Sequence, residues 1–162
     1  MPATSVVGEF GQGLILGDRI IDFACIGLAA EMVGAATHAM EITLAYMRER
    51  VQFDTAISSF QALQHRMAQV FVQVELARSA VLGAARAFDA EGPNASKLAS
   101  MAKAKAGIAL ELAAKEGVQF HGGVGMTDEY DIGLFLKRAR GAEVTFGDRT
   151  WHRRRWARLA GY

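Results

Sequence analysis

The scarcity of proline constrains the fold of this chain more than any other feature of its sequence. Only two of the 162 residues are proline, Pro2 and Pro93, so long stretches lack the residue that most strongly interrupts a helix. Between about Leu14 and Arg50, apolar residues recur at spacings of three and four, which is the helical period. No alternating apolar pattern is longer than about four residues, so the sequence predicts helices rather than strands.

The helical period resumes after each of two breaks. A polar segment, Gln52–Thr55, ends the first helix, and the turn Glu91–Asn94 ends the second. This order of elements predicts an all-α fold, an antiparallel up-down helical bundle whose fourth wall comes from residues 131–143. We expect a single domain over residues 1–162, with a tail over about residues 1–12. The predicted helices run over about Leu14–Arg50, Ala56–Ala90, Ala95–Phe120 and Asp131–Arg140, followed by a final short helix.

Composition and charge argue against several classes of partner. The net charge of +1 predicts no nucleic-acid partner. The single cysteine, Cys25, lies in an apolar run and is expected to be a small buried residue. Without a disulfide or a visible signal peptide, the cytoplasm is the expected compartment. The apolar run Ile20–Ala36 is interrupted by Asp22 and Glu31, which are costly in lipid, so we expect a buried helix and no membrane partner.

The histidines and the C-terminal arginines are the remaining candidate binding groups. None of the four histidines pairs with another histidine or with the cysteine at metal-ligand spacing, so no metal site is expected. Five arginines lie between residues 149 and 158, with Trp151 and Trp156 among them. Such a cluster can bind nucleic acid, but the balanced charge of the chain makes this weak. It favours C-terminal helix cations, a solvated face, or contacts to an anionic cofactor or another subunit.

A glycine-rich break separates the third and fourth predicted helices. It reads Gln119-Phe120-His121-Gly122-Gly123-Val124-Gly125-Met126-Thr127-Asp128-Glu129-Tyr130, and each of its glycines costs a helix about 1 kcal/mol. Glycines also let the backbone approach a ligand or another chain closely. The segment resembles the Q-x-x-G-G-x-G-x-x-x-E-Y signature of the acyl-CoA dehydrogenases.

Further segments resemble the same family, in the same order and with compatible spacings. Together the matches cover about Leu14 to Thr145. They are Arg48-Glu49-Arg50-Val51-Gln52-Phe53 with Phe60-Gln61, Val74-Glu75-Leu76-Ala77-Arg78, Ala102-Lys103, the glycine signature, and Lys137-Arg138-Ala139-Arg140.

The resemblance implies the C-terminal helical domain of an acyl-CoA dehydrogenase, without the family's N-terminal helical domain and middle β-domain. In that family FAD lies between the middle and C-terminal domains, and a second subunit contributes to its site. Carried over, Arg50, Gln52 and Phe53 lie near the FAD phosphates and ring, and Gln119, Gly122 and Gly123 near its adenosine half. A guanidinium suits a diphosphate. The alternative for Arg50 is that it only caps the end of its helix.

The chain departs from the family at the catalytic base. The usual glutamate of a Y-E-G-T segment is replaced by Gly147, and the alternative site on the first helix holds Gly17. Each glycine is followed by an aspartate, Asp148 and Asp18, which become the candidate bases. The alternative is that Asp148 caps the last helix.

Two smaller departures accompany the loss of the glutamate. The family's glycine after Phe53 is replaced by Asp54, and its T-x-Q segment appears as Arg149-Thr150-Trp151. These departures put the usual activity of the family in doubt for this chain.

The function implied by the resemblance is the α,β-dehydrogenation of an acyl-CoA thioester with FAD, in which this chain supplies one wall of the site. Two alternatives remain: a non-catalytic helical partner subunit that builds the oligomer interface, and an unrelated helical binding module. Apolar residues occupy more than one face of the long helices, such as Phe71 and Val72, or Leu110 and Leu112. We therefore expect a homo-oligomer, or a hetero-oligomer with a chain that carries the missing domains.

Overall fold

Five α-helices and one very short β-hairpin make up the part of the chain that the structure, a computed structural model, describes, which is residues 5–162. This confirms the predicted all-α bundle. The α-helices are α1 (Gly13–Glu49), α2 (Gln61–Asp89), α3 (Ala95–His121), α4 (Ile132–Val144) and α5 (Arg149–Leu159). The hairpin consists of β1 (Val51–Gln52) and β2 (Thr55–Ala56), which pair antiparallel.

Helix α3 is the central element and contacts the other four helices. It can be surrounded on all sides because its core positions are small: Ala99, Ala102, Ala106, Ala109 and Ala113 are all buried. Their spacing of three and four brings neighbouring helices close to the α3 backbone. The sequence predicts that Leu110 and Leu112 lie on apolar faces that an isolated bundle cannot cover. The central position of α3 corrects this expectation, because Leu110 is fully buried and Leu112 is partly buried.

The long helices alternate in direction along the bundle. Near the start of α1, Asp22 contacts Arg155, which also bonds Ser100 on α3. Near the end of α1, Tyr46 donates a hydrogen bond to the carbonyl of His121 at 3.2 Å, at the end of α3. Helices α1 and α3 therefore run parallel and pack directly on each other. Helix α2 runs in the opposite direction, since Glu91 just after its end pairs with Arg19 near the start of α1.

Helix α2 begins later than its sequence pattern predicts. The predicted start was Ala56, but the helix begins at Gln61. The difference arises in the hairpin, where Phe53 and Asp54 take φ angles of 57° and 61°. Two successive left-handed residues make the tight turn that a two-residue hairpin loop requires. A short 3₁₀ turn, Ile57–Ser59, then leads into the helix.

Helix α1 is long and apolar enough to cross a membrane, judged by length and composition alone. Its middle nevertheless packs in the bundle, where Ala29, Met32 and Ala36 are buried. The two acidic residues noted in the sequence are both paired, Asp22 with Arg155 and Glu31 with Arg138. The first pair is buried and the second is half exposed, so α1 packs its inner face in the bundle and carries a surface ion pair on the other.

The first turns of α1 lie outside this core. Asp22 is its first buried residue, whereas Leu14, Ile15 and Ile20 are largely exposed. An apolar helix surface of this kind is available for contact with another domain or chain.

Candidate functional site

The residues predicted to contact FAD lie together at one end of the bundle. Helices α1 and α3 are parallel, so their C-termini meet, and the ring of Tyr46 stacks on that of His121 with centroids 4.2 Å apart. Arg50 and the hairpin follow α1, while the glycine segment follows α3. We call this region the glycine end, and it consists of Arg50, Gln52, Phe53, Gln119, Gly122 and Gly123. All six residues are exposed.

Two glycines of the glycine end have open space beside their backbone. Gly122 has a φ of 67°, and a Cβ atom placed on Gly122 or on Gly123 would have no neighbour within 4 Å. Gly125 differs, since a Cβ there would lie 2.8 Å from the Cβ of His121 and 3.0 Å from the carbonyl oxygen of Val118. Gly125 therefore serves the packing of the chain, whereas Gly122 and Gly123 present bare backbone to an outside group.

Arg50 holds the hairpin with its backbone rather than with its side chain. Its N–H donates to the carbonyl of Tyr46 at 2.9 Å, and its own carbonyl accepts from the N–H of Ile57 at 2.9 Å. The Arg50 side chain is exposed, and so is Phe53, whose ring is 86% exposed and lies edge-on to that of Phe60. The backbone caps α1, and the positive charge is left at the surface.

The two candidate bases lie in the other half of the bundle, which we call the carboxylate end, defined by Asp18 and Asp148. Asp148 is the N-cap of α5, and its Oδ1 accepts the backbone N–H of Trp151 at 2.7 Å. This confirms the capping alternative for Asp148. Asp18 is exposed on α1 and lines a cavity of about 350 Å³ together with Asp22 and Glu91.

The glycine end and the carboxylate end are far apart. The turn before α5 lies against Cys25, whose Sγ is 3.9 Å from the carbonyl oxygen of Phe146. From Cys25 to Tyr46 helix α1 advances 21 residues, which at the rise of an α-helix is about 30 Å. The structure therefore places the six cofactor candidates at one end of the bundle and both carboxylates away from them. Asp18 and Asp148 have different neighbours, since Asp18 lies beside Glu91 and Asp148 beside Trp151.

Beneath the carboxylate end lies a cluster of buried polar side chains that the sequence patterns did not predict. Arg155 forms an ion pair with Asp22 and donates to Ser100 Oγ at 3.0 Å. Lys103 Nζ donates to the carbonyls of Glu143 and Gly147 at 3.1 and 3.2 Å. The cluster comprises Asp22, Ser100, Lys103, Glu143, His152 and Arg155, all buried. It ties α1, α3, α4 and α5 together at this end.

Burial sets the protonation states in this cluster. The pKa of His152 falls to about 4, because the ring is desolvated and lies near the positive charges of Lys103 and Arg155. Desolvation also raises the pKa of the Cys25 thiol and lowers the pKa of the Lys103 amine. His152 is thus a neutral imidazole and Cys25, with its Sγ 3.8 Å from His152 Nε2, a neutral thiol near neutral pH.

The arginines near the C-terminus divide into two groups. Arg149 donates to Glu143 Oε1 through its backbone N–H at 3.0 Å and its Nε at 2.9 Å, and it also pairs with Glu111. The hydrogen bond from Arg149 lowers the pKa of Glu111. Arg149 and Arg155 thus form ion pairs within the bundle, Arg155 buried and Arg149 partly buried, so the expected solvated face does not include them. Arg153, Arg154 and Arg158 are exposed.

Parts of the buried cluster had a sequence signal. Asp22 was noted as a carboxylate within an apolar run, which indicates a buried partner, and His152 and Arg155 are three positions apart, on one face of a helix. Lys103 carried only the family's Ala-Lys match. Among residues 5–162, no group of three or more histidine, cysteine, aspartate or glutamate side chains is arranged to hold a metal ion.

Known proteins resemble this chain over nearly its whole length. A family model described as "Acyl-CoA dehydrogenase, C-terminal domain" matches residues 11–160. The acyl-CoA dehydrogenase IpdE2 of Mycolicibacterium smegmatis is 41% identical over 145 residues, which is 90% of this chain and 42% of that protein. The chain therefore spans less than half of this relative.

Solved structures show the same fold. Butyryl-CoA dehydrogenase from Megasphaera elsdenii superposes with a TM-score of 0.95 at 27% identity, over 100% of this chain and 42% of that one. The steroid ACAD Tcur3481-Tcur3483, G363A variant, gives a TM-score of 0.83 at 28% identity, over 86% and 38% of the two chains. PigA with FAD and proline gives 0.92 at 25% identity, over 99% and 42%.

Proposed function

This chain belongs to the acyl-CoA dehydrogenase family, of which it carries the C-terminal domain, and on this premise we propose that it acts as the C-terminal domain or subunit of a flavin-dependent acyl-CoA dehydrogenase. The proposed reaction is the α,β-dehydrogenation of an acyl-CoA thioester. A carboxylate removes the α-proton. The FAD held at the site would supply the acceptor for the β-hydride, so that the substrate would lose one proton and one hydride.

The observation that carries this proposal is the glycine end. It combines open space beside the backbone of Gly122 and Gly123 with an exposed arginine at Arg50. Such a surface suits an extended anionic group, because glycine permits close approach and arginine binds phosphate oxygens. Arg50, Gln52 and Phe53 would hold the phosphate and ring side of FAD, and Gln119, Gly122 and Gly123 its adenosine side.

An assembly is part of the proposal, because this chain carries less than half of its relatives' length. The distance of about 30 Å along α1 between the two ends supports an arrangement in which each end of the chain serves a different active site. The name of the relative Tcur3481-Tcur3483 joins two components, which supports a partner chain carrying the missing domains. We propose such a partner, or a second copy within a longer enzyme.

One observation favours a second candidate, a non-catalytic partner subunit that builds the interface. Both positions of the family's base are glycine, Gly17 and Gly147, and Asp148 already caps α5. In this version the carboxylate comes from the partner chain, and this chain contributes only contacts to FAD and to the interface. Family membership leaves no place for the third alternative, an unrelated helical module.

FAD binding to the glycine end is tested in a complex of this chain with a complementary subunit. Arg50→Ala should weaken the binding of FAD by about 1.5–3 kcal/mol, the usual contribution of a hydrogen bond to a charged group. The matched control is Arg48→Ala, which removes the same charge from an exposed position on the last turn of α1. Flavin absorbance after dialysis measures retention. Equal retention in both variants would assign Arg50 a structural role only.

A further inference from the structure

Gly147 lies in the turn between α4 and α5, where the family resemblance places the glutamate base. Its φ is 103°, and the preceding Phe146 has a φ of 59°. The turn is anchored from below, since the carbonyl of Gly147 accepts from the buried Lys103 amine at 3.2 Å. Two successive left-handed residues held by a buried lysine leave this backbone little freedom.

The ring of Trp151 fills the space that a side chain at position 147 would need. A Cβ atom built on Gly147 would lie 2.7 Å from Cε3 and 3.1 Å from Cδ2 of Trp151, and 3.4 Å from Nε2 of His152. The shortest of these separations lies far inside the normal contact distance of about 3.5–4.0 Å between carbon atoms. A larger residue therefore fits only if the tryptophan ring moves.

Trp151 is 44% exposed, and the rest of it contacts neighbouring residues of the bundle. Its backbone N–H is bound by Asp148, and its ring stands edge-on to His152 with centroids 4.8 Å apart. The guanidinium of Arg155 lies 5.6 Å from the ring centre. Arg155 is itself fixed by Asp22, so displacing the indole would disturb the buried cluster.

We infer that Gly147 and Trp151 form a matched pair in which the indole closes position 147 to any side chain, including a proton-abstracting carboxylate. This inference takes its catalytic meaning from the proposed function. A carboxylate that serves the site must then come from another position, in this chain or in its partner. Asp148 acts in the pair as a positioning residue, because its carboxylate holds the N–H of Trp151.

A double-mutant cycle on the full chain tests the pair. Gly147→Ala should raise the unfolding equilibrium constant at least about tenfold, as overpacking does, and Gly147→Glu should do the same. The second background is Trp151→Gln, which restores the family's residue and removes the indole ring. In that background Gly147→Ala should raise the unfolding equilibrium constant only by the amount that a positive φ costs an alanine. Denaturant unfolding measures all four corners of the cycle.

Gly161 supplies the matched control for the backbone term. Its φ is 88°, and a Cβ there would meet nothing within 4 Å, so Gly161→Ala measures strain without a clash. Equal costs of Gly147→Ala in both backgrounds would overturn the inference, and so would a cost no greater than that of Gly161→Ala.

Loss of folding also decides the matter. If Gly147→Ala fails to fold but the double variant folds, the pair is supported. If the double variant also fails, the inference is overturned, because removing the ring should leave only the strain of positive φ. The cycle needs neither flavin nor partner, so its failure is distinguishable from failure of FAD binding in the complex.

Discussion

At the scale of single residues, the burial of His152 makes the stability of the chain depend on pH. The pKa of His152 is about 4 in the folded chain against an ordinary value of 6.5. Between these values the unfolded chain takes up a proton that the folded chain refuses. Stability is therefore complete above pH 6.5 and falls as the pH drops toward 4, by about 3 kcal/mol in total at 1.36 kcal/mol per unit.

Denaturant unfolding between pH 7 and pH 4 measures this loss. The variant His152→Asn has no side-chain proton to gain in this range. The slope of its stability against pH should therefore correspond to up to about one proton fewer taken up on unfolding than in the parent. His38→Asn is the control for replacing an imidazole with an amide, because His38 is exposed. An unchanged slope in His152→Asn would show that other groups cause the acid loss.

Asp148 is also a residue-scale case, since a cap and a base make different demands on the same carboxylate. Asparagine caps a helix about as well as aspartate, whereas alanine costs about 0.5–2 kcal/mol. Asp148→Asn should therefore keep the stability of the chain, and Asp148→Ala should reduce it. These two outcomes follow from the hydrogen bond to Trp151 alone.

Turnover by the reconstituted complex separates the second role. If Asp148 is the base, Asp148→Asn should lower the rate about 10²–10⁴-fold while stability is retained. Asp18→Asn is the parallel variant for the second candidate. Unchanged turnover in both variants would move the base to the partner chain and leave this chain as the scaffold and FAD wall.

At the scale of elements, the glycine segment after α3 divides its glycines between packing and access. Gly125→Ala should destabilise the chain by about 1–3 kcal/mol, because the new Cβ overlaps His121 and Val118. Gly123→Ala meets open space and should leave stability within about 0.5 kcal/mol of the parent. It should nevertheless lower the affinity of the complex for FAD, because the added methyl group would keep the cofactor from contacting the backbone.

Thermal unfolding and flavin retention, measured on both variants, check this division. The prediction is contradicted if Gly123→Ala retains flavin as well as the parent, or if Gly125→Ala unfolds at the parent's temperature. Gly141→Ala is a suitable control, since Gly141 is a helical glycine with no neighbour within 4 Å of a built Cβ and lies on α4, outside the glycine segment.

The elements were largely predictable, and their local details less so. Helical periodicity gave α1, α2, α3 and α4 because each buries a regular stripe of apolar residues. The start of α2 was misplaced because Phe53 and Asp54 adopt left-handed angles without the usual glycine. The buried cluster was missed for a different reason: Asp22 and Arg155 lie 133 positions apart, and no local pattern encodes such a pair.

At the scale of the whole molecule, the bundle leaves apolar surface that its own helices do not cover. On α2, Phe71, Val72, Leu76 and Leu82 are about half exposed. The first turns of α1 expose a further set on the side of the carboxylate end. Surfaces of this extent on separate faces favour contacts with more than one neighbour, which agrees with a chain that covers only part of its relatives.

Assembly through α2 can be tested without disturbing the core. Phe71→Glu places a charge on an exposed position, so the fold should persist while an apolar contact between subunits is weakened by desolvation of the carboxylate. Light scattering should show a dimer or larger assembly for the parent and a smaller mass for Phe71→Glu, with equal helix content by circular dichroism. Asn94→Asp, which adds the same charge in the exposed turn between α2 and α3, should not change the mass.

A parent that stays monomeric at high concentration, and that also fails to bind a chain carrying the missing domains, would contradict the proposed assembly. Without a neighbour, an FAD held at the glycine end of this chain would have no second wall.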